Sequence, residues 1–323
     1  MKLYSTKNRT ATVTLAEAVM KGLPDDNGLF MPTEIPQLSD DFINNLDKYS
    51  FSEMAFQICK TLFGDTIPLV DLETIINNSV TFPAPIVELD EDKKVLELWH
   101  GPSLAFKDFG ARFMSQLMSY FNRNETKELV ILVATSGDTG GAVAAGFYKA
   151  LGIKVVILYP KGKVSNLQEK QLTTLGENIT ALEIDGTFDD CQALVKQAFL
   201  DQDLKHIRLS SANSINIARL IPQSFYYFEA YKQLKNKTKP VVFAIPSGNF
   251  GNLTAGLLAQ KMGLPVHGFI AATNDNNVVP EYLETGRFVP RPSVRTISNA
   301  MDVGNPSNFA RMLDLYDSVW NDM

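Results

Sequence analysis

The chain changes rhythm once along its length. Over residues 1–93 apolar positions recur at helical spacing in 14–22, 40–46, 51–63 and 69–77, with Gly and Pro between them. Asn27-Gly28 marks a turn, and Phe82-Pro83-Ala84-Pro85 reads as an extended boundary. Beyond it, strand-like apolar runs alternate with amphipathic helical patterns. The predicted strands are 95–99, 129–134, 154–159, 179–184, 241–245 and 266–271. The predicted helices are 111–121, 140–151, 167–175, 189–201, 217–234 and 253–262. Several strands are apolar throughout, as expected where both faces of a sheet are covered. Such alternation predicts an α/β architecture with mainly parallel sheets, preceded by a mostly helical N-terminal domain over 1–93. Ligands in α/β folds sit beyond the carboxyl ends of the strands.

Two glycine-rich turns fall at such positions. Ala134-Thr135-Ser136-Gly137-Asp138-Thr139-Gly140-Gly141 follows the strand 129–134 and opens a helix. Glycines let the backbone turn sharply and approach a ligand closely. The N–H groups of a helix start favour an anion, and Thr135, Ser136 and Thr139 add hydroxyls. An ordinary strand-to-helix turn with a capping Asp or Thr has the same look. Neither the P-loop ending nor the spaced three-glycine dinucleotide fingerprint is present. Pro246-Ser247-Gly248-Asn249-Phe250-Gly251-Asn252 repeats the logic after the strand 241–245 and suits a phosphate monoester, or is again a structural turn. A third polar stretch, Ser210 to Ile217, leads into a helix bearing Arg219. Arginine grips phosphate bidentately, but a surface Arg behind a capping Asn fits the pattern equally well.

One lysine stands out beside these loops. Lys107, in His100-Gly101-Pro102-Ser103-Leu104-Ala105-Phe106-Lys107-Asp108-Phe109-Gly110, lies in an apolar setting between a strand-like run and an amphipathic helix. Burial disfavours an ammonium, which is what a lysine that attacks an aldehyde requires. A solvated lysine near a helix start is the plainer alternative. Asp108 could be a catalytic acid, a helix cap or a group that orients the lysine. His100 adjoins the stretch without a clear role, and His267 is expected to be packed in a strand.

Composition narrows the classes. The chain has 323 residues, 45% of them hydrophobic, enough for more than one domain. A net charge of −6 without a basic run argues against nucleic acid as a partner. No apolar stretch is long enough to span a bilayer, and the opening Met1 to Lys7 is polar without a signal-peptide core. Cys59 and Cys191 sit in helical apolar patterns and are expected to be buried and reduced, and the three histidines are too scattered for a metal site. A cytoplasmic location fits these features.

Five stretches carry a family likeness. HGPSLAFKDFGARFM, ATSGDTGGAVAAGFY, YPKGKVSNLQEKQ, SSANSINIARL and PSGNFGNLTAGLLA together resemble the threonine synthase family. These are pyridoxal-phosphate enzymes of fold type II, with a tryptophan synthase β-like architecture. MKLYSTKN at the start and SNAMDVGNPSNF near the end extend the likeness over the whole chain. The resemblance implies a small α/β lobe over 94–215 carrying the cofactor lysine and a large α/β lobe over 216–323. It implies that Lys107 bonds the cofactor aldehyde and that Gly248, Asn249, Phe250, Gly251 and Asn252 hold the cofactor phosphate. Asp138 would face the cofactor's 3′-oxygen. Thr135, Ser136 and Thr139 would receive the substrate carboxylate and part of its phosphate, and Asn213, Ser214 and Arg219 would grip that phosphate. The implied reaction is O-phospho-L-homoserine plus water to L-threonine plus phosphate. Threonine dehydratase or β-replacement chemistry, and a non-catalytic protein that binds a phosphorylated metabolite, are the alternatives. Ser103 stands where the family usually has Thr. Relatives of the longer type continue beyond the position of Met323, after a helix-like run ending at Trp320. That further segment completes the large lobe and supplies a hydroxyl to the pyridine nitrogen, so the lobe is expected to be incomplete here.

Overall fold

The structure, a computed structural model, describes residues 1–317, so the expected helix end at Trp320 lies outside the described residues. In chain order its elements are β1 (Lys2–Ser5), β2 (Asn8–Thr14), α1 (Leu15–Lys21), β3 (Phe30–Pro32), α2 (Asp40–Asn44), α3 (Phe51–Phe63), α4 (Leu69–Ser79), β4 (Ile86–Glu88) and β5 (Lys94–Leu96). Then come α5 (Lys107–Asn122), β6 (Leu129–Ala134), α6 (Asp138–Phe147), β7 (Ile153–Pro160), α7 (Asn166–Thr173), β8 (Ile179–Ile184), α8 (Phe188–Leu200) and β9 (Arg208–Ser211). The last are α9 (Ile217–Leu220), α10 (Phe225–Lys232), β10 (Val242–Pro246), α11 (Gly251–Lys261), β11 (Gly268–Ala272), α12 (Val278–Thr285) and α13 (Phe309–Leu315).

All four helices expected in the first 93 residues are present. The structure adds an antiparallel sheet of order β2-β1-β3 that helical periodicity does not announce. β2 is almost wholly exposed, so it carries no apolar alternation, only the β-branched Thr and Val of its sequence. The run expected as a strand over 95–99 pairs only over Lys94–Leu96, as half of a hairpin with β4. The single helix expected over 217–234 is three pieces, because Pro222 has no N–H to donate and forces a 3-10 turn at Ile221–Ser224. The structure also has β9, whose end is the buried polar pair Ser210 and Ser211.

The chain divides into two compact units. One comprises Met1–Thr14, Leu23–Ile67 and the chain from Leu220 onward. The other comprises Leu15–Gly22 and Pro68–Arg219.

The Pro68–Arg219 unit is built on a four-stranded parallel sheet of order β8-β7-β6-β9. The chain runs outward from β6 through β7 to β8, then returns to place β9 on the other side of β6. The order therefore reverses between β6 and β9, which puts the loops after those two strands on either side of a crevice. Helix α5 packs against α4, α6 and α1 and buries Phe109, Phe113, Met114 and Leu117. Each such side chain contributes roughly 1.5–3 kcal/mol of burial. On α6, a Cβ at Gly146 would lie 2.9 Å from the Ala111 backbone, so α5 and α6 touch at close range.

In the other unit β10 and β11 pair in parallel from Val242↔Gly268 to Pro246↔Ala272. The turn after β10 feeds α11, which packs against α10 and α13. Arg311 of α13 is fully buried and donates to the Phe30 carbonyl at 3.2 and 3.1 Å and to Asn308 Oδ1 at 2.7 Å, tying that helix to β3.

Candidate active site

Lys107 opens α5 and Asp138 opens α6, 31 residues apart in sequence. Lys107 Nζ lies 2.6 Å from Asp138 Oδ2, with about a fifth of each side chain exposed. The setting is thus ionic as well as apolar, a point the sequence pattern around Lys107 does not carry. Asp138 Oδ1 accepts from its neighbour, the Thr139 N–H, at 2.8 Å, which aims the other oxygen at the lysine.

Asp108, next to Lys107, is completely buried and accepts from the Ser103 N–H at 2.9 Å and the Ser103 hydroxyl at 2.6 Å. It is an anchor for the turn that delivers Lys107. Burial pushes its carboxyl above the ordinary aspartate value, and the hydrogen bonds from Ser103 oppose that only in part. Leu104 in this turn has a φ of 59°, a conformation that needs such anchoring. Gln171 of α7 adds a hydrogen bond to the Ser103 carbonyl at 3.3 Å.

The loop after β6 is shaped by Thr135. Its hydroxyl accepts from the Gly137 and Gly140 N–H groups at 3.0 and 2.8 Å, and the side chain is buried. Thr135 therefore ties the turn to the first turn of α6, whose N-cap is Gly137, whereas Ser136 and Thr139 are only half-buried. Gly137 has a φ of 138°, and a Cβ there would strike the Gln168 side chain at 2.5 Å. Only glycine makes this turn.

Across the switch point, the loop after β9 presents Asn213 and Ser214, both half-buried. Asn216, in the same loop, is fully buried; its amide donates to the Val19 carbonyl at 2.9 Å and accepts from the Ala218 N–H at 3.0 Å. Arg219 is also buried, at 2% exposure, with Nη1 on the Ala212 carbonyl at 2.7 Å. A Cβ at Gly110 would lie 3.1 Å from Arg219 Nε, so the guanidinium lies directly behind the first turns of α5.

In the other unit, the turn 247–250 carries Phe250 in the left-handed conformation, with φ 60°. α11 begins immediately after it; Phe250, its N-cap, offers no side-chain acceptor, and Asn252 Oδ1 accepts from the Leu253 N–H at 3.0 Å. Asn252 Nδ2 donates to the Pro246 carbonyl at 2.8 Å, and Asn249 Oδ1 accepts from the Ser307 N–H at 2.6 Å. Both Asn side chains thus brace the turn itself. A left-handed residue followed by a helix start whose N-cap side chain accepts nothing is a concave set of N–H donors, which fits a phosphate. A reactive amine held by a carboxylate, in Lys107 and Asp138, fits an aldehyde cofactor. The residues present therefore suit pyridoxal phosphate.

The remaining expectations divide. Cys59 and Cys191 are buried and reduced. His267 is exposed rather than packed, because it stands just before β11 begins at Gly268. His100 shares a hydrogen bond with Glu97 Oε2 at 2.8 Å. No described helix is long and apolar enough to cross a membrane.

Residues 2–80 match the threonine synthase N-terminus family, and residues 82–321 match the pyridoxal-phosphate dependent enzyme family. The threonine synthase of Escherichia coli (strain K12) is 50% identical over 323 residues, covering 99% of this chain and 75% of that one. The crystal structure of threonine synthase from Escherichia coli superposes with a TM-score of 0.91 over 98% of this chain and 74% of that one, at 50% identity. The pyridoxal-phosphate-bound threonine synthase of Brucella melitensis gives 0.92 at 38% identity, over 100% of this chain and 71% of that one. The chain belongs to the threonine synthase family, pyridoxal-phosphate dependent enzymes of fold type II.

Proposed function

We propose that this protein converts O-phospho-L-homoserine and water to L-threonine and phosphate, using pyridoxal 5′-phosphate. The observation that carries the reading is the pairing of Lys107 Nζ with Asp138 Oδ2 at 2.6 Å beside the β6–β9 switch point. Lys107 bonds the cofactor aldehyde, and the main-chain donors of Gly248, Asn249, Phe250, Gly251 and Asn252 hold the cofactor phosphate. When bound, the cofactor withdraws electrons from the substrate's carbon skeleton.

The chain's own residues do the rest. Asp138 holds the lysine amine in place and, with the cofactor bound, would face its 3′-oxygen. Freed to act as a base, Lys107 Nζ takes and returns protons at the substrate's Cα and Cβ. Thr135 fixes the loop after β6, so that Ser136 and Thr139 meet the substrate carboxylate. Asn213, Ser214 and Arg219 grip the substrate phosphate. The Cγ–O bond breaks and phosphate leaves; a proton goes to Cγ and water forms the new Cβ–O bond. The phosphate is at once specificity handle and leaving group. Thr135 and Arg219 act from buried positions, so each also shapes the loop that carries its more open neighbours.

Two buried, reduced cysteines fit a reducing compartment, and we place this activity in the cytoplasm. Asn213, Ser214 and Arg219 together offer an amide, a hydroxyl and a guanidinium to a substrate phosphate, an anchor that threonine dehydration does not need. The test is threonine and phosphate formation from O-phospho-L-homoserine with added pyridoxal phosphate. Equal release of both, abolished in Lys107→Ala, supports the reading. Formation of 2-oxobutanoate in place of threonine, or full activity in Lys107→Ala, overturns it.

A further inference from the structure

The turn after β10 is braced from outside by a loop distant in sequence, and Asp302 is the hub of that loop. Asp302 Oδ1 accepts from Asn274 Nδ2 at 2.8 Å, from Thr296 Oγ1 at 2.7 Å and from Asn276 Nδ2 at 3.3 Å. Its Oδ2 accepts from the Thr296 N–H at 2.9 Å. Asn276 pairs with Val294 in both directions, accepting its N–H at 2.7 Å and donating to its carbonyl at 2.9 Å. Asn274 also donates to Ser298 Oγ at 3.0 Å. Asn274 and Asn276 follow β11, the strand paired with β10. The Ser247 N–H continues that pairing onto the Ala272 carbonyl at 2.8 Å. The carboxylate thus ties the loop 294–302 to the same sheet end from which the turn departs.

What this loop touches gives it a purpose. A Cβ at Gly248 would lie 2.7 Å from Met301 Cα and 2.9 Å from the Met301 carbonyl oxygen. The backbone of Met301, one residue before Asp302, therefore presses directly on Gly248. Farther along, the Ser307 N–H donates to Asn249 Oδ1 at 2.6 Å. Met301 of the loop and Ser307 beyond it support the turn at its first two residues after Ser247. An anion cradle of main-chain N–H groups works only while its backbone is held. A non-glycine residue in the left-handed conformation, here Phe250, costs energy that the surroundings must offset. The stretch SNAMDVGNPSNF supplies Ser298, Met301, Asp302 and Ser307, and none of them has a part in the chemistry proposed above.

We propose that Asp302 is a positioning residue for the cofactor-phosphate turn: it clamps the loop 294–302 so that the Met301 backbone fixes Gly248. This rests on the reading that 248–252 holds a phosphate. Its signature is selective. Loosening the clamp weakens what the turn binds and leaves the amine chemistry of Lys107 alone.

The test compares pyridoxal 5′-phosphate with pyridoxal, which carries the aldehyde and lacks the phosphate. Affinities for both are measured spectroscopically on the wild-type protein, Asp302→Ala and Thr296→Val, with the 31P shift of the bound phosphate as a second readout. Asp302→Ala is expected to weaken the phosphate form by about ten- to a hundred-fold, the cost of a roughly ångström-scale misplacement. Its affinity for pyridoxal changes by less than about twofold, within the ordinary scatter of independent sites. Thr296→Val moves the same way by a smaller factor and carries the test if Asp302→Ala does not fold. An unchanged preference for the phosphate form in folded variants, or an equal loss for both compounds, overturns the role of Asp302. A wild-type protein that binds the two compounds equally overturns the phosphate reading of the turn, and the clamp with it.

Discussion

Lys107 Nζ and Asp138 Oδ2 lie 2.6 Å apart, one on the first residue of α5 and the other on the first residue of α6, two helices that pack on each other. The Lys107 amine is therefore held by a partner on a second helix and not by its own loop alone. Replacing Asp138 with Asn keeps the shape and removes the charge. We expect Asp138→Asn to lower kcat/KM by about ten- to a hundred-fold with the melting temperature nearly unchanged. A kcat/KM within twofold of wild type would show that Asp138 only ends its helix.

Lys107 is the expected point of covalent attachment. Borohydride reduction of the protein with pyridoxal phosphate, followed by peptide mapping, should place the cofactor on Lys107. Lys107→Ala should lose the reducible absorbance band and retain the fold. Attachment at any other lysine contradicts the assignment.

Arg219 has two duties. It is buried against Gly110 and bonded to the Ala212 carbonyl, and it is proposed to grip the substrate phosphate. Arg219→Ala should lower kcat/KM for O-phospho-L-homoserine by about tenfold or more, the worth of a charge-assisted hydrogen bond. It should also lower the melting temperature. Inhibition by inorganic phosphate separates the two duties: it weakens in parallel if the arginine reads phosphate, and stays unchanged if the arginine only packs.

The Asp108 carboxyl is raised above its ordinary value of 3.8 by burial. A carboxyl that holds its proton more tightly when folded favours the folded state at low pH. Its contribution is lost as pH climbs from that ordinary value through the raised one. Wild-type stability should thus fall relative to Asp108→Asn across that window, measured as urea midpoints at a series of pH values. Parallel curves for the two proteins refute this.

Much of this site is legible in the sequence because its parts are local. The apolar run of β6 and the glycines after it announce a strand-to-helix turn, and 248–252 repeats the pattern after β10. The helices at 51–63 and 69–79 follow from apolar spacing, the first with a Ser50–Glu53 capping box at its start. The partners that position the site are not local. Asp138 finds Lys107 only through packing of α5 on α6. Met301 reaches Gly248 from 53 residues away through a loop with no periodicity. β1 to β3 escape notice because β2 faces water on both sides, and β9 because its buried end is serine. In sequence Arg219 fits a phosphate-gripping or a surface arginine equally well, and Gly110, the residue that makes room for its burial, lies on a different helix.

In the proposed reaction water adds at Cβ after phosphate leaves Cγ. Turnover of O-phospho-L-homoserine in 18O-labelled water tests it directly. Addition of water at Cβ gives threonine with one labelled oxygen at Cβ and phosphate with none, in equal amounts. Label in the phosphate, with homoserine as the other product, would mean cleavage at phosphorus and would contradict it.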